Sequence, residues 1–126
     1  MRFATSTIVT LVALFVSGAS AGTACHSDHG AWGADCETLF SQYENDQSTH
    51  ASDGNGRASI QYSSCASVVH FQNNVDSITG AQLVSTGRAM YESCFGDNAD
   101  QYKSGVLTGI DSNKYCLCND GSQGSC

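Results

Sequence analysis

The 126-residue chain contains no proline, and only five basic residues stand against twelve acidic ones, which gives a formal charge of −7. Without proline, turns must be made by glycine, asparagine, aspartate and serine. The shortage of positive charge disfavours nucleic-acid binding, because an acidic surface repels phosphate groups. For the same reason we expect no polybasic docking on anionic lipid.

Long apolar runs are also scarce, and the longest stands at the N-terminus. Met1 and Arg2 give a positive start, residues 7–18 form an apolar core of signal-peptide length, and residues 19–21 fit the small-x-small cleavage pattern. A membrane-spanning helix needs roughly 20 apolar residues, so this run is too short for one. We therefore expect a signal peptide over residues 1–21, secretion to the extracellular space, and one mature cysteine-rich domain over residues 22–126.

The mature domain is more acidic than the whole chain. Cleavage removes Arg2, so four basic residues remain against twelve acidic ones and the formal charge becomes −8. No second apolar run follows the leader, and we expect no stable insertion into a membrane. Disulfides would compensate for the modest core of a domain of this size, at about 2–4 kcal/mol each.

Seven cysteines follow the predicted leader: Cys25, Cys36, Cys65, Cys94, Cys116, Cys118 and Cys126. In an oxidising compartment such cysteines predict disulfide bonds. The redox motif C-x-x-C is absent. The Cys116-x-Cys118 spacing is one residue too tight for the paired C-x2-C of zinc sites and has no matching second pair. We therefore assign all seven to a structural disulfide framework, and expect no metal and no cofactor.

Hydrophobic periodicity places two helices. Residues 33–46 carry an apolar stripe, with Asp35 as the expected cap. The second helix begins at a capping box formed by Thr79 and Gln82 and ends near Gly96. The two apolar faces consist of Cys36, Leu39, Phe40 and Tyr43, and of Leu83, Gly87, Met90 and Cys94. The glycine in the second face predicts a close approach of that helix to a sheet.

Strand-forming residues predict strands over 57–62, 65–71, 102–110 and 114–118, preceded by a short first strand or extended arm over 22–28. The remaining segments predict a polar loop over 47–56 and a hairpin turn over 111–113. The resulting order is βαββαββ. It predicts a small disulfide-stabilised α+β sandwich in which two helices pack on one face of an antiparallel sheet.

The cysteines fit this layout, but their pairing stays open because six paired cysteines allow many connectivities. Helix-to-sheet bridges are the natural expectation, such as Cys36 to Cys65, with Cys25 joining the N-terminal arm to the last strand. One of the seven must remain as a free or reactive thiol, or join a second chain as a disulfide-linked dimer. Cys126 is the best candidate, because a terminal residue is loosely tethered.

The order of elements and cysteines resembles the killer-toxin-like group among the small cysteine-rich secreted proteins of filamentous fungi. The segments that carry the resemblance are TACHSDHGAWGADCETLF, IQYSSCASVV, SITGAQLVSTGRAMYESC and KSGVLTGIDSNKYCLC. Members adopt α/β sandwiches similar to the virally encoded smut killer toxins, and plant-associated fungi deploy them as candidate effectors. The resemblance covers the mature chain and implies a virulence role outside the fungal cell.

Catalytic motifs are missing, since the chain has no G-x-S-x-G elbow, no H-E-x-x-H and no P-loop. His70, Arg88 and Glu92 are residue types that a secreted ribonuclease uses. His70, however, lies in an apolar strand, and Arg88 and Glu92 have the spacing of an ordinary helical ion pair. An acidic surface would also repel RNA. We therefore expect a non-catalytic protein.

A histidine-rich segment near the N-terminus offers a second kind of site. His26, Asp28 and His29, with His50 as a distant fourth ligand, are groups that bind copper or zinc. A glycine-rich arm gives them no fixed geometry, so surface histidines beside a disulfide cysteine are the preferred interpretation. Trp32 next to them is either an exposed anchor for a partner or sugar, or a core residue.

These features favour a secreted binding protein that acts on a host or microbial protein or glycan, whose identity the sequence does not give. The two alternatives are a killer-toxin-like antimicrobial protein and a small secreted hydrolase. Loops carry most binding functions on rigid scaffolds. We therefore expect the interaction surface at residues 47–56 together with residues 111–113.

Overall fold

A computed structural model describes residues 22–73 and 76–126, so the predicted signal peptide lies outside the described residues. Within them the element order is β1 (Gly22–Trp32), α1 (Gly33–Tyr43), β2 (Thr49–Ala51), β3 (Arg57–Tyr62), β4 (Cys65–His70), β5 (Ser77–Thr79), α2 (Gly80–Cys94), β6 (Tyr102–Thr108) and β7 (Lys114–Asn119). A single 3-10 turn follows over Asp120–Ser122. In this part of the chain, no helix has the length and apolar character needed to cross a membrane.

The main sheet has five strands in the order β1-β6-β7-β4-β3, and every neighbouring pair is antiparallel. A second, two-stranded sheet joins β2 to β5. The predicted α+β class is confirmed, as are the four strands predicted after the first, which are β3, β4, β6 and β7. The prediction of an unbroken polar loop over 47–56 is wrong, because Thr49–Ala51 pairs with Ser77–Thr79. A strand of three residues is too short to show the alternation by which strands are recognised in a sequence.

The sheet is buried on both faces at β4 and β7. One face packs against the helices through Ala58, Ile60, Cys65, Val69, Tyr115 and Leu117. The opposite face, called the outer face below, buries Ala66, Val68, Cys116 and Cys118, with Val106 and Cys126 packed against them. Successive side chains of a strand point to opposite faces, so burial on both sides explains why all residues of β4 except its last are buried.

Helix α1 begins two residues earlier than its predicted cap. Trp32 occupies the N-cap position, and the Gly33 amide donates to the Gln101 carbonyl at 3.1 Å. Asp35 instead accepts hydrogen bonds from the Ser64 amide and hydroxyl at 3.1 and 2.7 Å. Burial raises the pKa of Asp35, but the Ser64 hydrogen bonds outweigh it and leave that pKa below its ordinary value. The carboxylate thus ties the helix start to the β3–β4 turn, and the capping prediction is wrong.

Helix α2 begins as its sequence predicts. The Gln82 amide donates to the Thr79 hydroxyl at 3.1 Å, and the Thr79 amide donates to the Gln82 side-chain oxygen at 2.9 Å. These reciprocal bonds form a capping box. The helix ends at Cys94, and Gly96 follows with a φ of 60°, the left-handed conformation that commonly ends helices at glycine.

Two disulfides join the helical layer to the sheet. Cys36 on α1 bonds Cys65 on β4, which confirms the expected helix-to-sheet bridge. Cys25 bonds Cys94 at the end of α2, so the expectation that Cys25 joins the last strand is wrong. The reason is the strand order: β1 pairs with β6, while β7 lies one strand further in and turns its cysteines to the outer face.

Gly87 confirms the close approach of α2 to its neighbours. A Cβ atom at this position would lie 2.7 Å from Cε1 of Phe40 and 3.0 Å from the Ser67 hydroxyl. Ser67 is fully buried and donates to the Leu83 carbonyl at 2.7 Å, so it is held in place. The gap between α2, α1 and β4 therefore admits only glycine without rearrangement.

We expect Gly87→Ala to destabilise the protein, although alanine is the better helix former by about 1 kcal/mol. Overpacking in a filled core costs about 1–3 kcal/mol, so a net loss of up to about 2 kcal/mol should appear in urea unfolding with the disulfides intact. Ser85→Ala, at an exposed position of the same helix, is the matched control and should stay within about 0.5 kcal/mol. A stabilised Gly87→Ala protein would contradict the packing described here.

Candidate functional site

Three chain segments meet at one end of the main sheet. Residues 52–56 precede β3, residues 71–73 follow β4, and residues 109–113 connect β6 to β7. Because β3, β4 and β7 are antiparallel neighbours, the start of β3, the end of β4 and the start of β7 lie at the same end. These segments are called the loop end below. Both loops predicted as the interaction surface contribute to it.

Hydrogen bonds fix the loop end. The Asp53 carboxylate accepts from the Asn55 and Arg57 amides at 2.7 and 3.1 Å, and these bonds, led by that from Arg57, hold the pKa of Asp53 below its ordinary value. The Phe71 amide donates to the Gly56 carbonyl at 2.9 Å. The Gln72 amide donates to the Asn113 side-chain oxygen at 2.9 Å, which joins the second segment to the third. The segments therefore form one ordered surface.

The third segment is anchored on the core. The Tyr115 hydroxyl donates to the Asp111 carboxylate at 2.6 Å, and the Asn113 amide donates to the other carboxylate oxygen at 2.8 Å. Burial raises the pKa of Tyr115 to about 12, with the Asp111 carboxylate adding to the effect and the Asn113 side chain opposing it. A buried aromatic residue thus sets the position of an exposed turn.

The loop end presents a shallow concavity and one exposed apolar side chain. The concavity, of about 590 Å³, is lined by Gly54, Asn55, Gly56, Phe71, Gln72 and Asn73. Ile110, in the adjoining turn, is 49% exposed. Amide side chains and an exposed apolar group on one surface offer both hydrogen bonds and apolar contact, a combination that suits recognition of a protein or a glycan.

A second cluster lies on the outer face, where the C-terminal segment 120–126 covers the sheet. Cys118 donates from its Sγ to the Cys126 Sγ at 3.3 Å, and the Cys126 Sγ lies 4.0 Å from His70 Nε2. Cys116 also belongs to this cluster, because the donor atoms of His70, Cys116 and Cys126 all lie within 4.8 Å of one another. None of the three sulfurs is in a disulfide. We call these four residues the sulfur cluster.

The position of Cys126 corrects its description as a loosely tethered terminus. The Lys114 ammonium donates to the Cys126 carbonyl at 2.6 Å, and His70 Nε2 and the Gln123 carbonyl are 3.1 Å apart. The alternation of side chains along a strand places Cys116 and Cys118 on the same face of β7. It gives no indication that Cys126 and His70 join them, because no spacing rule relates a terminal loop to a strand far away in sequence.

The histidines near the N-terminus are divided between two places. His26, Asp28 and His29 line a cavity of about 170 Å³ beside Cys126, formed where β1 bulges between His26 and Ala31. His50 lies in β2 instead, where its Nε2 contacts the Asp46 carboxylate at 2.9 Å. Hydrogen bonds from Ser48 and His50 lower the pKa of Asp46 to about 2. The structure therefore does not place His50 with the other three as a ligand set.

The residues of the hypothetical ribonuclease site are not brought together. His70 contacts the C-terminal segment on the outer face, whereas Arg88 and Glu92 belong to α2, on the opposite side of the sheet. The Arg88 guanidinium pairs with the Glu44 carboxylate, just after α1, at 3.0 Å. The helical spacing had predicted Glu92 as its partner. Trp32 is partly buried and packs on Tyr102, with ring centroids 4.8 Å apart.

The chain matches no known protein-family model, and no curated protein sequence matches it significantly. Its function must therefore be inferred from its own residues and geometry.

The contact between Asp111 and Tyr115 gives a direct test of the loop end. We expect Asp111→Asn to lower the pKa of Tyr115 from about 12, because it removes a negative charge that disfavours the phenolate. The pKa should stay above 10, the ordinary value, since burial is the larger cause of the shift. Titration by phenolate absorbance measures this pKa. The difference from a Tyr115→Phe variant isolates the signal of Tyr115 from that of the other tyrosines.

Asn113→Ala is the matched control for this titration. Its side chain lowers the pKa of Tyr115, so its removal should shift the titration in the opposite direction. An Asp111→Asn protein with an unchanged Tyr115 titration would show that the turn is not held as described.

Proposed function

We propose that this protein is a secreted, non-catalytic binding protein that acts outside the cell, as an effector does, on a host or microbial protein or glycan. The observation that carries the proposal is the loop end, where three segments joined by hydrogen bonds present one ordered surface on a disulfide-braced sheet. Pre-ordering reduces the entropy lost on association, so such a surface is suited to binding.

Secretion is supported by two independent features. The N-terminal 21 residues have the composition of a cleaved leader. The two disulfides in the mature part of the chain are typical of proteins that fold in an oxidising compartment. We therefore propose an extracellular location.

A fungal origin and a virulence role rest on the resemblance to the killer-toxin-like group, in the order of helices, strands and cysteines. The alternative within that group is a toxin that inhibits competing microbes. The strong excess of acidic residues disfavours direct attack on anionic membranes, and this is the reason to prefer the binding function.

Capture of a partner from host extracellular fluid and plasma-membrane extract, followed by mass spectrometry, tests the proposal. Once a partner is identified, we expect Ile110→Ser to weaken its binding at least about tenfold, because exposed apolar anchors carry much of the energy of an interface. The change in Kd, measured by calorimetry on proteins with equal thermal midpoints, gives the result.

Tyr62→Ser is the matched control. Tyr62 is also an exposed apolar side chain, at 37%, but it lies at the opposite end of the sheet from the loop end. Equal losses in the two variants would place the binding surface elsewhere. Growth inhibition of other microbes by the purified protein, with no specific partner recovered, would favour the toxin.

A further inference from the structure

The sulfur cluster contains one thiol more than a single disulfide can use. Cys116, Cys118 and Cys126 lie together on the outer face, while the other four cysteines are already paired. Cys126 occupies the shared position, since its sulfur contacts Cys118 at 3.3 Å and also lies near Cys116. At most one disulfide can form among the three. The distances between the sulfurs and their exposure indicate which pair forms it and which sulfur reacts first.

We propose that Cys126 is the oxidation site of this protein: it reacts first with a low-molecular-weight disulfide such as oxidised glutathione, and Cys118 then resolves it into a Cys118–Cys126 bridge that leaves Cys116 as a shielded thiol. This inference is independent of the proposed binding function, because the sulfur cluster and the loop end involve different surfaces.

Accessibility distinguishes the three sulfurs. Cys116 and Cys118 are fully buried, at 0% exposure. Cys126 is only partly buried and lines the cavity of about 170 Å³ formed by His26, Asp28, His29, Ser104, Val106 and Ser125. Cys126 is therefore the sulfur of the three that is most open to a small disulfide in solution, whereas the two strand cysteines are screened.

Reactivity follows the same order. Hydrogen bonds from the Cys116 and Cys118 thiols, assisted by His70, lower the pKa of the Cys126 thiol, although burial opposes them. The same hydrogen bonds, together with burial, raise the pKa of Cys116 and of Cys118. Because the thiolate is the nucleophile in disulfide exchange, Cys126 is the sulfur that attacks.

The exchange is balanced in two steps. The Cys126 thiolate attacks one sulfur of oxidised glutathione, whose disulfide breaks, and one glutathione leaves as a thiolate that takes up a proton. Cys118 then loses its proton to solvent and attacks the Cys126 sulfur, which forms the Cys118–Cys126 bond and expels the second glutathione thiolate. Two protein thiols are oxidised, and one glutathione disulfide is reduced to two thiols.

A metal ion is the competing occupant, because the donor atoms of His70, Cys116 and Cys126 lie within 4.8 Å of one another, and cysteine sulfur and imidazole nitrogen are zinc ligands. The hydrogen bonding of His70 disfavours it. The Gln123 carbonyl can only accept, so the 3.1 Å contact places a proton on His70 Nε2. That nitrogen then has no lone pair for a metal, and it would have to abandon Gln123 to become a ligand.

The test uses the full mature chain in a glutathione buffer of defined ratio, quenched with acid and alkylated in denaturant. Cleavage after Leu117 and before Asp120 separates the three cysteines into different peptides for mass spectrometry without reduction. We expect a Cys118–Cys126 link, alkylated Cys116, and no bound zinc by elemental analysis. A predominant Cys116–Cys126 bridge, three free thiols with stoichiometric zinc, or a covalent dimer through Cys126 would each overturn the proposal.

Two variants separate the steps. Cys118→Ser should accumulate the glutathione adduct on Cys126, because its resolving thiol is gone, whereas the control Cys116→Ser should form the bridge as the wild type does. If Cys118→Ser fails to fold, alkylation of the native, reduced wild-type cluster decides instead. There Cys126 should react at least about tenfold faster than Cys116 or Cys118, and equal rates would refute the order of steps.

Discussion

The fold depends on burying both faces of the strands β4 and β7. A sheet exposed on one side needs only one covering layer, but here Val68, Cys116 and Cys118 face away from the helices and are fully buried. The helices cover one face and the C-terminal segment covers the other. That segment is held by polar contacts to Lys114 and His70 and by packing of Cys126, so a few terminal residues complete the core of the whole domain.

The two disulfides hold the helices on the sheet, on the face opposite the C-terminal segment. Cys36–Cys65 fixes α1 on β4, and Cys25–Cys94 fixes the end of α2 on the edge strand β1. Each closes a long stretch of chain, and such bridges contribute about 2–4 kcal/mol by restricting the unfolded state. Gly87 lets α2 pack closely against Ser67 of β4 as well. The scaffold is thereby rigid enough to display loops at its end.

Much of the architecture could be predicted from the sequence where local chemistry determines it. The capping box at Thr79 and the strands β3 and β4 follow from residues adjacent in the chain, and they were predicted nearly to the residue. The partners of Cys25 and of Asp35 were not, because the first depends on strand order and the second on how α1 packs against the β3–β4 turn, and local patterns encode neither. Two of the loops that form the loop end were predicted. That they form one surface depends on the hydrogen bond between Gln72 and Asn113, which are distant in sequence.

The bulge in β1 affects more than the cavity beside Cys126. Residues 27–30 have no partner on β6, and β1 is an outer strand of the five-stranded sheet. An uninterrupted outer strand presents a row of amides and carbonyls on which a strand from another molecule can add. Since the bulge divides this row into two short pieces, it should hinder fibril-like stacking of one copy on the next. A stretch of chain without regular pairing thus protects this edge of the sheet against the addition of a further strand.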